Sequence, residues 1–272
     1  MTPLPVSDQK ESKATLPHRA RLHVLRRSVI ALVATGACAT GACATSIEGD
    51  MQQGLAADGG TSESSSADGS PIGADATPNN ADAGVQTVTL QAGAENTIAP
   101  QNSVSCNAGG PDFFHTDNHY YRTYPLASVG VTSDFIVSSV DIGVEEAASA
   151  GGSQPVQVSL HTLDGPLQIA NLTLLASTSA AVPDQLESIV AVPIEATVPA
   201  GSTLVVEVFT PNGQDSQNRF FIGSNGAGEA FPSFLRAPGD CAIEEPTATN
   251  ALGVDGLIMS IVLNVSGTHT SS

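Results

Sequence analysis

Apolar and polar residues alternate with a period of two along most of the chain after residue 84. The alternation is clearest at residues 156–161 and recurs at Val85–Leu90. Every second residue of a β-strand points to the same side, so each such segment predicts a strand with one buried face. Turns rich in Gly, Pro, Asn and Asp separate about eight to ten such segments, and no stretch after residue 38 has a helical period. The sequence therefore predicts an all-β fold of two packed antiparallel sheets, a β-sandwich with jelly-roll-like topology.

Three segments carry more specific predictions. In residues 135–145 the apolar side chains are predicted to share one buried face, with the carboxylates opposite them in solvent. The apolar residues are Ile136, Val140, Ile142 and Val144, and the carboxylates are Asp141 and Glu145. Because proline has no backbone N–H, Pro193 predicts that its strand lies at an edge or carries a bulge. Residues 257–265 are apolar on both faces, which predicts a central strand covered on both sides.

The chain is strongly acidic, and its charge is unevenly distributed. It has 27 Asp and Glu against 9 Lys and Arg, and six of those nine basic residues precede residue 28. Beyond residue 38 three arginines remain, Arg122, Arg219 and Arg236. Such a surface repels phosphate backbones, so we expect no nucleic-acid partner. The same surface attracts divalent cations.

A basic stretch followed by an apolar one lies near the start of the chain. Four arginines fall within residues 19–27, and residues 28–37 are uncharged, mostly apolar and end in small side chains. A basic region, an apolar segment of roughly 7–15 residues and a small-residue cleavage site together form an export signal. The segment is shorter than the roughly 20 apolar residues of a membrane span. We therefore expect residues 1–38 to direct export.

The end of this segment resembles the lipobox of bacterial lipoproteins, whose lipidated cysteine becomes the mature N-terminus. Small residues precede Cys38 in the sequence TGAC at residues 35–38, although threonine stands where that family usually has leucine. A second TGAC, at residues 40–43, makes Cys43 the alternative lipidation site. The resemblance implies a lipoprotein that a lipid anchor holds in the outer membrane or at the cell surface. An ordinary secretory signal is the alternative.

Residues 39–84 are predicted to be a disordered linker. They are rich in Ser, Gly, Ala and Asp, contain no aromatic residue, and carry acidic but no basic side chains. A segment of this composition cannot bury enough apolar surface to offset the entropy lost on ordering. Repulsion between its like charges would extend it, so it would hold a folded domain at residues 85–272 away from a membrane.

Two cysteines remain in the predicted domain, Cys106 and Cys241. An exported protein folds in an oxidising compartment, where cysteines of this kind pair. We therefore predict a Cys106–Cys241 disulfide that closes a loop of about 135 residues.

Four stretches of the domain resemble a β-sandwich module of exported bacterial proteins, of a kind found in myxobacteria. They are YYRTYPL at residues 120–126, GSTLVVEV at residues 201–208, FIGSN at residues 221–225, and Cys241 followed by PT at residues 246–247. The resemblance covers residues 100–268, and its motifs are structural. Such modules occur alone or appended to secreted enzymes such as peptidases. The resemblance implies an accessory role in binding, anchoring or display, with no catalytic residues.

The densest polar stretch is DFFHTDNH, residues 112–119. A Cys106–Cys241 disulfide would bring it close to the acidic residues around Cys241. Because Ca²⁺ takes roughly six to eight oxygen ligands, a calcium site is predicted as the alternative to a solvated loop. Its ligands would be Asp112, Asp117, Asn118, Asp240 and Glu244, with Glu245 close by. His115 and His119, four residues apart, are alternative ligands for a transition metal. No cofactor other than a metal ion is predicted.

Other side chains are candidates for ligand binding. Tyr120 and Tyr121 are the candidate stacking residues, since exposed rings stack on sugar faces; packing in the core is the alternative. Glu207 lies in an apolar segment, where alternation predicts a solvent-facing position and a buried acid of raised pKa is the alternative. His161 also alternates outward, with no partner nearby in sequence.

No catalytic motif emerges from the sequence. The chain lacks the G-x-S-x-G motif of α/β-hydrolases, and no glycine-rich loop precedes a helix. We therefore predict a protein that is not an enzyme. The favoured function is a cell-surface lipoprotein displaying a β-sandwich that binds an extracellular ligand such as polysaccharide or matrix. A structural or protein-interaction module of the cell envelope is the alternative, and a hydrolase is less favoured.

Overall fold

Extended segments dominate the part of the chain that the structure describes. The structure is a computed structural model that describes residues 21–24, 84–107, 112–254 and 256–271. Its first eight strands are β1 (Arg21–Val24), β2 (Val85–Leu90), β3 (Val104–Asn107), β4 (Asn118–Pro125), β5 (Phe135–Ala148), β6 (Ser153–Leu163), β7 (Leu172–Pro183) and β8 (Gln185–Val198). The others are β9 (Thr203–Thr210), β10 (Arg219–Ile222), β11 (Ser224–Asn225), β12 (Ser233–Ala237), β13 (Ile243–Ala248), β14 (Ser260–Ile261) and β15 (Leu263–Thr270).

The helical turns are short 3₁₀ helices at Leu126–Val129, Ile169–Asn171 and Thr249–Ala251. Within the described ranges, no helix has the length and apolar character needed to cross a membrane.

Eight of the strands form a jelly roll. The first sheet has the order β2, β15, β5, β8, and the second has the order β4, β9, β6, β7, with every pair antiparallel. Strand β10 adds to β5 in the first sheet, and β12 and β13 extend the second sheet beyond β4. The predicted antiparallel sandwich is confirmed. The structure has more strands than predicted because it includes the short strands β10 to β14. The longest of these has only six residues.

The inner faces of the two sheets form one hydrophobic core. Alternation places Leu204, Val206 and Val208 of β9 in it, together with the apolar residues of β6 that the period of two singled out. From the first sheet, Phe135 and Val265 are completely buried in the same core. Burying a side chain of this size contributes about 1.5–3 kcal/mol, so these paired faces supply most of the driving force for folding.

The predicted face of β5 is partly wrong. Val140, Ile142 and Val144 are buried as expected, but Ile136 is 55% exposed and Val137 is buried instead. Between Val137 and Ser139, β5 has one residue more than the paired segment of β15, and this bulge reverses the alternation. The register with β8 also shifts here.

The two remaining strand predictions have different outcomes. Pro193 pairs with Ser139 at this register shift in β8, an edge strand of the first sheet, so its prediction is confirmed. The apolar run at residues 257–265 does not form one central strand. It contains the two-residue strand β14 and the start of β15, and Ile258 is 62% exposed.

The predicted disulfide is confirmed. Cys106 in β3 is bonded to Cys241, which lies between β12 and β13, with the two Cα atoms 6.1 Å apart. Strands β3 and β1 pair with each other in a separate two-stranded sheet. Because β1 lies within the predicted export signal, cleavage after Ala37 would separate these two strands. The lipidation candidates Cys38 and Cys43 lie outside the described residues, as does the predicted linker up to residue 83.

The first and last strands of the sandwich, β2 and β15, bring the two chain ends of the domain together at one edge of the first sheet. Strand β2 pairs with β15 along its whole length, from Val85 opposite Thr270 to Leu90 opposite Val265. Beyond the pair, the backbone N–H of Ser271 donates to the carbonyl oxygen of Gly84 at 3.0 Å. The entry and exit of the domain are therefore neighbours.

Candidate functional site

The outer face of the second sheet carries a cluster of polar and aromatic side chains. Because Val206 and Val208 point into the core, Glu207 between them points to the opposite face. The neighbouring strands β4, β6 and β12 place further polar residues on that face, and cross-strand register brings them together. We call this set the Glu207 cluster: Glu207, His119, Tyr121, His161, Phe209 and Arg236.

Three donors converge on the Glu207 carboxylate. His119 Nδ1 lies 2.6 Å from Oε1, and the Tyr121 hydroxyl donates to the same oxygen at 3.0 Å. His161 Nε2 lies 2.9 Å from Oε2. The side chains of Glu207, His119 and His161 are only 15%, 16% and 12% exposed. Both oxygens of a mostly buried carboxylate are therefore hydrogen-bonded, which fixes its orientation.

The hydrogen bonds also assign the tautomer of His119. Its Nε2 lies 3.2 Å from Arg236 Nη1, and a guanidinium can only donate, so Nε2 accepts. The proton of the neutral ring is then on Nδ1, where it is donated to Glu207. The chain Arg236–His119–Glu207–His161 is thus a continuous line of hydrogen bonds across four strands.

The pKa of Glu207 falls well below its ordinary value. Burial alone would raise this pKa, but the hydrogen bonds from His119, His161 and the Tyr121 hydroxyl outweigh it and lower it to about 2. Glu207 is therefore ionised at any physiological pH.

We expect the Glu207 cluster to stabilise the fold in a pH-dependent way. Because the pKa is depressed on folding, the stabilisation is complete above the ordinary glutamate pKa of 4.5 and is lost as pH falls through about 2. Glu207→Gln should therefore cost about 2–3 kcal/mol more at pH 6 than at pH 2. Chemical denaturation across this pH range measures the difference.

Glu195→Gln is the matched control, since Glu195 is exposed on β8. Its effect on the free energy of unfolding should be small. Parallel pH profiles for wild type and Glu207→Gln would contradict the depressed pKa.

Two phenylalanine rings complete the face. Phe209 stacks on His119 with ring centroids 4.3 Å apart and planes 16° apart, and it is partly exposed. Phe234 of β12, also partly exposed, lies opposite Tyr121 in register. Hydroxyl and amide groups continue the polar surface onto β6 and β7, where Gln157 Nε2 donates to Ser177 Oγ at 2.8 Å. The face therefore combines partly exposed rings with oriented hydrogen-bonding groups.

The predicted stacking residues are not available to a ligand. Tyr120 is fully buried in the core, and its hydroxyl donates to the carbonyl oxygen of Val104 at 3.1 Å. Tyr121 lies on the outer face but is also fully buried, with its hydroxyl bound to Glu207. The alternative, packing inside the protein, is what the structure shows for both rings.

The predicted calcium ligands are not gathered into one site. Asn118 is fully buried and serves the backbone: its Oδ1 accepts from Cys106 N at 2.7 Å, and its Nδ2 donates to Cys106 O and Thr116 O. Asp117 Oδ1 accepts from Asn212 N, and Asp240 Oδ2 accepts from Gln214 Nε2. The remaining two ligands, Asp112 and Glu244, are exposed.

Across the described ranges, no three His, Cys, Asp or Glu side chains come together in a way that could hold a metal ion. His115 and His119 also serve separate networks. His115 is buried, with Nε2 3.0 Å from Gln154 Oε1, and burial lowers its pKa. Calcium binding stays a prediction without a preformed site in these residues.

The sequence pattern assigned Glu207 to the correct face but to the wrong environment. Its partners His119 and His161 lie 88 and 46 residues away, so only the order of β4, β9 and β6 reveals them. Glu145, predicted to face solvent, is 4% exposed; its Oε1 accepts from Gln101 N at 2.6 Å, and burial raises its pKa to about 7. Asp141 is half-buried, and desolvation raises its pKa as well.

Comparisons with known proteins do not assign a family to this chain. No protein-family model and no curated protein matches the chain. Among solved structures, the chain is similar to the cysteine protease and lectin-like domains of Cwp84, a surface layer associated protein of Clostridium difficile. The identity is 12%, the TM-score is 0.42, and the match covers 58% of this chain and 33% of that one. A similarity of this size does not define a shared family.

Proposed function

We propose that this protein is a non-catalytic β-sandwich that binds an extracellular polysaccharide through the outer face of its second sheet. The observation that carries the proposal is the Glu207 cluster, together with the partly exposed ring of Phe234 on the same face. The proposal concerns binding and assigns no reaction to the cluster.

The chemistry of the face suits a sugar chain. Sugar rings have an apolar face of C–H groups and a rim of hydroxyls, so they bind where aromatic rings lie beside hydrogen-bonding groups. Phe209 and Phe234 supply the rings, and Arg236 and Gln157 supply donors beside them. The hydrogen bonds to Glu207 hold these groups in place before a ligand arrives, which lowers the entropy lost on binding.

The proposed location is the cell surface. The lipobox-like sequence before Cys38, or before Cys43, would anchor the mature chain by a lipid, and the acidic linker would extend the domain outward. The Cys106–Cys241 disulfide agrees with this placement because structural disulfides form in oxidising compartments.

We expect Phe209→Ala and Phe234→Ala each to weaken polysaccharide binding about tenfold, since each ring contributes about 1–2 kcal/mol of stacking and burial. A glycan array would identify the ligand, and calorimetry with wild type and variants would measure affinity. Leu186→Ala is the control, because Leu186 is 70% exposed on β8 of the other sheet. If both phenylalanine variants fold and bind polysaccharide with unchanged affinity, the binding site does not lie on this face.

A protein-interaction module is the second candidate, and one observation favours it. Both sheets end in long strands, β7 and β8, that carry exposed aliphatic side chains. Leu174 is 58% exposed, Leu186 70% and Ile189 42%. Exposed edge strands of this kind are sites where another chain can pair. This candidate would be favoured if no glycan on the array binds and an envelope protein co-purifies with the wild type but not with Leu186→Ala.

A further inference from the structure

Strand β7 ends the second sheet, and its outer edge is open. Among the described residues it pairs with β6 alone, along its whole length from Leu172 to Pro183. Its free edge presents a row of backbone N–H and C=O groups that no other described strand pairs with. Such an edge is a template for a strand from another molecule.

The other edges of the described sandwich are short or protected. Edge strand β2 has only six residues. The two remaining long edges carry acidic residues and proline, which are Glu187, Pro193 and Glu195 on β8 and Glu244, Glu245 and Pro246 on β13. In contrast β7, with the sequence LTLLASTSAAVP, has no charge and has its proline at the last position. Because like charges would meet on β8 and β13, β7 is the long edge that two copies of this acidic chain can share.

The outer face of β7 has a projection near its start. Leu174 pairs with the outer-face residue His161, and its side chain is 58% exposed. Leu174 reaches this face because Leu175 is an extra residue at the register shift between Leu160 and His161. The bulge therefore directs a large apolar side chain outward.

The same strand has a hollow near its end. A cavity of about 350 Å³ lies at β6 and β7 and is formed by residues 153–155 and 179–181. Pro155, Ala180 and Ala181 give it small apolar side chains. One strand thus carries both an apolar projection and an apolar hollow.

A twofold axis through Thr178 matches each projection to a hollow. In antiparallel pairing about this axis, Ser177 lies opposite Ser179 of the second copy. The bulge shifts the count by one, so that Leu174 lies opposite Ala181. Every opposite pair then points to the same face, and β7 pairs along its full length. This is the self-complementary contact that a twofold dimer requires.

We propose that the protein forms a twofold dimer in which β7 pairs antiparallel with β7 of a second copy, and Leu174 of each copy fills the hollow beside Ala181 of the other. The two six-stranded second sheets would then join into one continuous sheet. A second copy supplies the projection at the required distance from the hollow, because both lie on the same strand. Self-pairing through β7 does not depend on polysaccharide binding.

The dimer has a consequence for the Glu207 cluster. Directly opposite residues of paired strands point to the same side, so the outer faces of the two second sheets would lie on one side of the dimer. Five strand spacings, or about 24 Å across the strands, would separate Glu207 of one copy from Glu207 of the other. A long polysaccharide could then bind both clusters and gain avidity, a consequence that rests on the proposed function.

Sedimentation equilibrium of the whole protein tests the dimer. We expect the wild type to pass from monomer to dimer between low and high micromolar concentration, since a single strand pair makes a small interface. Ala181→Lys places an unpaired charge in the apolar hollow and should weaken the dimer at least about tenfold. Leu174→Ala removes the projection and should weaken it about tenfold. Both residues are exposed, so the fold should be intact.

Ala191→Lys is the matched control, because Ala191 is also exposed but lies on edge strand β8. It adds the same charge and should leave the dimer unchanged. A wild type that stays monomeric at high micromolar concentration would overturn the inference and leave the β7 edge to a different protein. Equal weakening by Ala181→Lys and Ala191→Lys would also overturn it, because the interface would then not be specific to β7.

Photo-crosslinking locates the contact independently of these variants. A benzophenone amino acid replaces Ser179, and equal amounts of unlabelled and ¹⁵N-labelled protein are mixed, so that mass spectrometry separates links between copies from links within one copy. We expect links between copies that join β7 to β7. Links between copies that fall only outside β7 would contradict the proposed pairing.

Sugar binding separates the dimer from the proposed function. A fragment too short to reach both Glu207 clusters should bind the wild type and Ala181→Lys equally, whereas a long polysaccharide should bind Ala181→Lys more weakly. A wild type that dimerises but binds neither sugar would contradict the proposed function and support the dimer. A wild type that binds the fragment but stays monomeric would contradict the dimer alone.

Discussion

Replacing Arg122 by alanine should destabilise the domain by about 3–5 kcal/mol, as expected when one member of a buried ion pair is removed. The Arg122 side chain is completely buried, and its guanidinium donates to four acceptors on two segments, residues 229–231 and β14. Nε bonds to Ile261 O at 2.9 Å, Nη2 to Ser260 Oγ at 2.8 Å, and Nη1 to Phe231 O at 2.6 Å and Glu229 Oε2 at 2.5 Å. The variant would leave these acceptors unpaired and open a cavity next to β14. Urea denaturation followed by circular dichroism measures the loss.

Arg219→Ala is the control for this prediction. Arg219 also pairs with a glutamate, Glu146, at 3.1 Å, but its side chain is 39% exposed. Exposed pairs contribute about 0–1 kcal/mol, so this variant should change the free energy of unfolding only slightly. Equal losses in the two arginine variants would show that burial of Arg122 is not what makes it important.

Removing the disulfide should have an effect of similar size. Cys106 and Cys241 are separated by 135 residues, so their bond strongly restricts the unfolded chain. In the chain-entropy model a loop of this length stabilises the fold by about 4–5 kcal/mol. We therefore expect Cys106→Ala combined with Cys241→Ala to lower the free energy of unfolding by that amount, measured by denaturation at neutral pH.

A reducing agent gives the matched control for the double variant. It should destabilise the wild-type protein to the level of the variant and leave the variant unaffected. A loss below about 1 kcal/mol would mean that the unfolded chain is already compact, or that strain in the native bond offsets its constraint.

The sequence predicted the presence of the strands better than it predicted which face of each strand is buried. Where a strand runs without interruption, as in β6 and β9, alternation alone assigned each side chain to the correct side. In β5 it assigned Ile136 wrongly, because the bulge depends on what β5 packs against. A Cβ at Gly267 of β15 would lie 2.3 Å from the Ile136 carbonyl oxygen, so the strands approach closely at a residue that only glycine permits. Local periodicity contains no information about such a long-range contact.

The candidate site was less predictable for a related reason. Proximity in sequence drew attention to the polar residues 112–119, but the most strongly connected of them, Asn118, bonds to backbone and holds β3 against β4. The residues that form the Glu207 cluster come from four strands, and each looks unremarkable on its own strand. Their convergence follows from the jelly-roll order, which sets β4 and β6 on either side of β9.

The hydrogen bond between Ser271 and Gly84 has a consequence for how this domain can be built into larger proteins. A fold whose two ends touch can be inserted into a surface loop of a host, or circularly permuted, without stretching either connection. New ends opened at the β7–β8 turn would lie in an exposed connection between the two sheets. A permuted chain of this kind should therefore keep both sheets. The domain can be joined to a larger protein through one end or through both ends.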